Sequence, residues 1–183
     1  MLTLRRFLVL GALLFWQGGF TFYAAVVVPV GRSVLAKELD KQGRITGRVT
    51  NYLNLAGGVA LGLLLPDLLS DGDPAKRRRW GRWLLWLAML LALGALLWFH
   101  VLLDRMFPAP EPGEHPGFRP LHRLYLWVST GQWACAVLYL LLTLRAWHAE
   151  DAVPAASLDV REGPSTFSAL ASSEPLPSRE PIR

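Results

Sequence analysis

His100 and Asp104 stand four residues apart, one helical turn, so the carboxylate can select the tautomer or the charged form of the imidazole. With His122 they make a set that could take a metal, since imidazole suits Cu, Zn, Fe and Ni. The same two histidines, His100 and His122, could instead serve as axial ligands to haem. No H-E-x-x-H or C-x-x-C spacing accompanies them, so no ligand set is defined by spacing. His115 lies among prolines and His148 follows the last apolar block, and both read as solvated or interfacial.

A second pattern is longer. His122, Tyr125, Ser129, Gln132, Ala136, Tyr139 and Thr143 recur at intervals of three and four residues, which sets them on one face of a helix. Leu126, Trp127, Val128, Val137, Leu138, Leu140 and Leu141 fall between them and suit lipid. Such a face either packs against other helices through small and hydrogen-bonding groups or lines a polar cavity. Asn51 and Asn54 begin a similar face that continues through Gly58 and Gly62, and Gln17 precedes the pair Gly18-Gly19. Nucleophilic catalysis has less to draw on. Ser129 has no base at a fixed spacing, and there is no G-x-S-x-G, Walker or dinucleotide glycine pattern, so the chain reads as non-enzymatic.

The elements that position these residues are apolar blocks. The 183 residues are 52% hydrophobic, and the apolar residues come in runs rather than in alternating or amphipathic order. Four blocks, at about 7–30, 49–69, 80–103 and 121–147, each reach the ~20 residues that cross a hydrocarbon core. The expected fold is all-α: an antiparallel bundle of four transmembrane helices over residues 1–148, followed by a disordered tail over 149–183 rich in Pro, Ser, Ala and Glu. The first block follows Arg5-Arg6 and reads as an uncleaved signal anchor, because apolar character runs on past Phe20 with no small-residue cleavage site. Residues 32–48 read as an interfacial helix or an extension of the first span, and 104–120 as a stiff, proline-rich loop.

The net charge of +5 lies beside the blocks. The run Lys76-Arg77-Arg78-Arg79 with Arg82 reads as an anchor for anionic headgroups, with no fold that would read nucleic acid. Arg5, Arg6, the 76–82 run and Arg145 flank one side. Arg32, Lys37, Lys41, Arg44, Arg48, Arg105, Arg119 and Arg123 flank the other in equal number. The density of the 76–82 run and the signal-anchor character of the first span break this tie. They put both termini on the cytoplasmic side of a plasma (inner) membrane. Cys135, the single cysteine, lies in an apolar block and reads as a packing residue.

In this topology Asn51, Asn54, His100, Asp104, His122 and Tyr125 begin or end their spans on the side away from the termini, with Gln17 and Gln132 near mid-membrane. The polar residues therefore gather in the outer half, and the inner half is expected to be Leu, Ala and Trp. The ligand-binding set is Gln17, Asn51, Asn54, His100, Asp104, His122, Tyr125, Ser129 and Gln132, arranged about a pocket for a small ligand or ion or a dock for a membrane partner. A metal- or haem-binding redox or resistance protein is the alternative. A subunit of a larger membrane complex, or a homo-oligomer, is a third reading. No cofactor is required by the sequence.

The stretches GGFTFYAAVVVPVGRSVL, GRVTNYLNLAGG and HRLYLWVSTGQWACAVLYLLL resemble small four-helix membrane proteins grouped under domains of unknown function. Over residues 10–145 they are also loosely similar to the copper-resistance D type, whose Gly-rich first helix ends near a proline. The second likeness implies metal handling, against which three Met and one Cys offer little soft ligation for Cu(I).

Overall fold

The computed structural model describes residues 2–35, 39–70, 73, 75–106 and 117–159. Of the loop expected at 104–120, residues 104–106 and 118–120 are helical and 107–116 lie outside the described residues, as does the tail from 160. Every regular element among those described is helical. Helix α1 (Leu2–Phe22) passes through a π-helical turn, Tyr23–Val27, into α2 (Val28–Val34), and the three form one rod. Helices α3 (Leu39–Leu69), α4 (Lys76–Met106) and α5 (Phe118–Asp159) follow.

The π turn has a local cause. Pro29 carries no N–H, so the ordinary i→i−4 ladder loses a donor there. Just upstream, Val28 N–H reaches back five residues to the Tyr23 carbonyl instead of four. The rod ends where Leu35 N–H closes on the Gly31 carbonyl at 2.9 Å. Gln42 of α3 lies against Gly31 and its amide reaches the Val28 carbonyl at 3.5 Å, so the return of the chain is tied to the end of the rod. Residues 32–34 and 39–48 thus belong to helices that extend the first two spans rather than to a separate element.

Four stretches, Thr3–Val34, Lys41–Leu69, Lys76–Met106 and Phe118–Ala152, are long and apolar enough to cross a membrane. Their outward faces agree with lipid as the solvent: Phe15 is 76% exposed and Trp127 71% exposed, among many exposed Leu and Val. In water such a surface would be a large aggregating patch. The protein is a multi-pass integral membrane protein. Sequential helices run antiparallel. The most extensive packing joins α4 to α5, then α1 to α3 and α3 to α4, while α1 meets α5 only lightly. The ring of helices is therefore weakest along the α1/α5 seam.

The core is a column of Val9, Leu13 and Trp16 from α1, Ala60, Leu61, Leu64 and Leu68 from α3, Met89 and Leu93 from α4, and Ala136, Tyr139 and Trp147 from α5. Gly57 lets α1 come close: a Cβ there would sit 2.9 Å from the Trp16 indole. The sequence pointed to Gly58 and Gly62 as the close-contact pair. Both are exposed, and the stripe is rotated by one residue, so that Asn54, Gly57, Leu61, Leu64 and Leu68 face inward. The rotation follows from Trp16, whose large ring packs onto Gly57, where there is no side chain to displace it.

Helix α5 continues past residue 148 to Asp159. The extension carries Glu150 and Asp151, which bind Arg6 of α1, and that pairing gives the added turns a tertiary partner. The turn between α3 and α4 is set by Asp73, which accepts the Ala75 N–H at 2.9 Å and is paired with Arg78. That hydrogen bond from Arg78 holds the Asp73 carboxyl below its ordinary range, against the opposing effect of burial. A carboxyl whose folded value is lowered stabilises the fold above its unfolded value, about 3.9, and loses that contribution as pH falls through the lower folded value. Acidification below about pH 4 is expected to loosen this turn. In a series of thermal midpoints against pH, Asp73→Asn should flatten the acid limb, and an unchanged limb would contradict the assignment.

Candidate functional site

Two polar centres lie inside the bundle, one running from its middle outward and one at the end that bears the termini. The first, in the half away from the termini, contains most of the residues singled out by spacing. Trp16 lies against Gly57, and Leu53 lies beside Gly19, so residues 16–19 of α1 run alongside 53–57 of α3. Gln17 and Asn54 therefore occupy the same level. Asn54 is 7% exposed, and its Nδ2 has no hydrogen-bond partner; Gln17 Oε1 is likewise buried and unpartnered. The Asn54 amide lies beside the Tyr125 phenol of α5, short of a well-aligned hydrogen bond, and Tyr23 is a further neighbour of that phenol. Tyr23 itself reaches the Thr46 carbonyl at 3.5 Å.

The inward face expected for α5 is the buried one. Ser129, Gln132, Ala136, Tyr139 and Thr143 are all enclosed, while Leu126, Trp127, Leu138 and Leu141 face out. Two of the polar members are consumed by structure. Ser129 Oγ donates to the Tyr125 carbonyl at 2.9 Å, and Gln132 Nε2 donates to the Met89 carbonyl of α4 at 3.1 Å. Asn51 is exposed. His100 is buried on α4 beside Gly47, with Nε2 3.5 Å from the carboxylate of the exposed Asp104. His122 is exposed and stacks on Phe118, ring centroids 5.8 Å apart. Among the described residues no three His, Cys, Asp or Glu side chains gather in a group that could hold a metal ion.

The second centre corrects an expectation: the inner half is not simply Leu, Ala and Trp. Asp67 of α3 and Arg82 of α4 are each 1% exposed, and Arg82 Nη2 donates to Asp67 Oδ2 at 2.6 Å. On the other oxygen, Trp147 Nε1 of α5 donates to Oδ1 at 3.3 Å. Arg5 Nε of α1 also stands 3.0 Å from Oδ1, as an ion-pair contact rather than an aligned hydrogen bond. All four spans thus converge on one carboxylate. The Arg82 guanidinium lies over the Tyr139 ring at 5.6 Å, and that of Arg6 over the Trp147 ring at 5.3 Å.

The basic run is accordingly divided. Arg82 points into the bundle and Arg78 binds Asp73, while Lys76, Arg77 and Arg79 remain exposed with Trp80 at the helix end. Headgroup anchoring is a role for those last residues alone. In the sequence Asp67 merely falls near the end of the 49–69 block, and Arg82 reads as part of the headgroup-anchoring run. The signal that marks Arg82 is its register, since Arg82, Met89, Leu93, Leu96 and His100 are the buried residues of α4 and follow steps of seven, four, three and four.

No family model matches the chain, and neither a curated protein nor a solved structure is detectably similar to it. The resemblances noted above rest on their motifs alone. What each centre can do follows from its own chemistry. The Asp67 centre has its carboxylate oxygens occupied by protein donors, which suits a clamp, although Tyr139 Oη and Thr143 Oγ1 beside it make no hydrogen bond. The Gln17–Asn54 level has one acceptor and one donor left over, which suits a ligand.

Proposed function

We propose that this membrane protein binds a small, uncharged, hydrogen-bonding ligand in the half of the bundle remote from its termini, and that both termini lie on the cytoplasmic side of the plasma membrane. The observation that carries the reading is the pair of buried, unpartnered amide atoms, Asn54 Nδ2 and Gln17 Oε1. Leaving an amide without a partner in an apolar interior costs roughly 1–3 kcal/mol. Lipid supplies no donor or acceptor to relieve it. The neighbouring phenol of Tyr125 adds a third hydrogen-bonding group at the same level. No nucleophile and base are paired there, so the role is binding rather than catalysis.

The reading predicts a stability signature. In the ligand-free protein, Asn54→Leu and Gln17→Leu should leave the thermal midpoint unchanged or raise it by a few degrees, because each removes a polar atom that has no partner. A relief of about 1 kcal/mol corresponds to roughly 2–4 °C for a chain of this size. Thermal unfolding in detergent micelles reads this directly. A drop of several degrees in both variants would mean that the protein itself satisfies the amides, and the ligand would have no place.

A further inference from the structure

We infer that the ligand of the Gln17–Asn54 level is a membrane-soluble alcohol and that it enters sideways from the bilayer between α1 and α5. The inference rests on the reading just given and adds the route and the chemical class. The route follows from where the ring of helices is thinnest. α1 and α5 meet lightly, and at this seam a groove of about 340 Å³ opens outward, lined by Phe20, Thr21, Ala24, Ala25, Thr130 and Trp133. Across the middle of the seam the hydrogen bond from Trp133 Nε1 to Thr21 Oγ1, at 3.3 Å, joins α1 to α5. At the terminal end Arg6 ties the same two helices through Glu150 and Asp151.

The groove begins one helical turn from Gln17. Thr21 is one turn beyond Gln17 on the same face of α1, and its hydroxyl donates to the Gln17 carbonyl at 2.8 Å. The far wall of the groove continues into the π turn, none of whose residues is buried. A π turn places an extra residue in the helix and commonly accompanies functional sites. Here it lies where the rod would have to flex to admit a molecule.

The class follows from the leftover atoms. Gln17 Oε1 needs a donor and Asn54 Nδ2 needs an acceptor. A hydroxyl is the smallest group that supplies both, and it still fits if either amide is turned over, exchanging its oxygen and nitrogen. An apolar body suits the groove, which presents mainly Phe, Ala and Trp carbon to the lipid.

The test uses the full chain in lipid nanodiscs with three probes: hexadecanol carrying a mid-chain diazirine, its methyl ether, and water-soluble propanediol. Photolabelling and peptide mapping should place the alcohol on the segments holding Thr21–Ala25 and Thr130–Trp133, with the ether labelling them far less. Asn54→Leu should cut this labelling by about fivefold, the value of one hydrogen bond. Ala24→Trp and, on the facing helix, Thr130→Trp should block alcohol labelling by filling the groove. Propanediol binding, followed by saturation-transfer NMR, should persist in both blocked variants because the amides remain. If propanediol binds but alcohol and ether label alike, or the tryptophans change nothing, the lateral route and the alcohol class fall while the site stands. If neither alcohol nor propanediol binds, the site falls with them.

Discussion

Arg82→Leu is expected to cost about 3–5 kcal/mol of stability. The reason is what it leaves behind. Asp67 is 1% exposed and receives its shortest contact, 2.6 Å, from Arg82. Without Arg82 the carboxylate stays buried with only the Trp147 indole and the off-axis Arg5 for company. Two charges removed from water are costly to bury, and their mutual attraction offsets that cost only while both are present. The thermal midpoint in micelles should fall by roughly 10 °C or more.

The companion experiment separates the pair's net value from the penalty of breaking it. Asp67→Leu combined with Arg82→Met should recover most of the loss, because apolar residues of similar volume replace a buried pair at little net cost. Arg5 is then released, but it is 23% exposed and Glu150 stands 4.0 Å from it, so it retains an anionic neighbour. If the double variant is as unstable as the single one, the cluster is held together by something other than the charge pair. A small loss in Arg82→Leu alone would mean that water or headgroups reach Asp67.

The second large effect is steric. Gly57→Leu should separate α1 from α3 and cost on the order of 1–3 kcal/mol, the usual penalty for forcing extra carbon into a packed interior. The Cβ alone would lie 2.9 Å from three atoms of the Trp16 ring, and that ring is 4% exposed between two helices. A flexible side chain would yield at small cost, whereas an indole at the centre of the core has nowhere to rotate. Gly62→Leu is the control. Nothing stands within 4 Å of a Cβ at that position, so the substitution should be nearly neutral. Paired midpoints for the two variants decide between them, and equal losses would show that α3 is not oriented as described. Relief by Trp16→Ala in the Gly57→Leu background would confirm the partner directly.

Much of the fold can be read without coordinates. The four apolar blocks each exceed what a bilayer requires, and a hydrophobic block of that length in lipid has one stable backbone solution, the helix, because every N–H and C=O must be paired within the segment. The inward face of α5 is equally legible, since Ser129, Gln132, Tyr139 and Thr143 recur at helical spacing in a background of Leu. Residues whose chemistry depends on a distant partner are not legible in this way. Asn51 and Asn54 have the same composition and neighbourhood, yet one is exposed and the other buried with an unpaired amide. Their difference comes from Trp16, which turns α3 so that Gly57 meets it.

The same division separates the two polar centres. Local periodicity and length dictate that this chain crosses a membrane four times as helices, because those properties act within a single segment of about 20 residues. Which charge meets which is a matter between segments. Asp67 and Arg82 each look like boundary residues in their own stretch, and they become a buried pair because α3 and α4 pack at that height and bring Arg5 and Trp147 with them. The free energy of a buried ion pair depends on angstrom-scale separation and on exclusion of water. Neither quantity exists until the helices have docked.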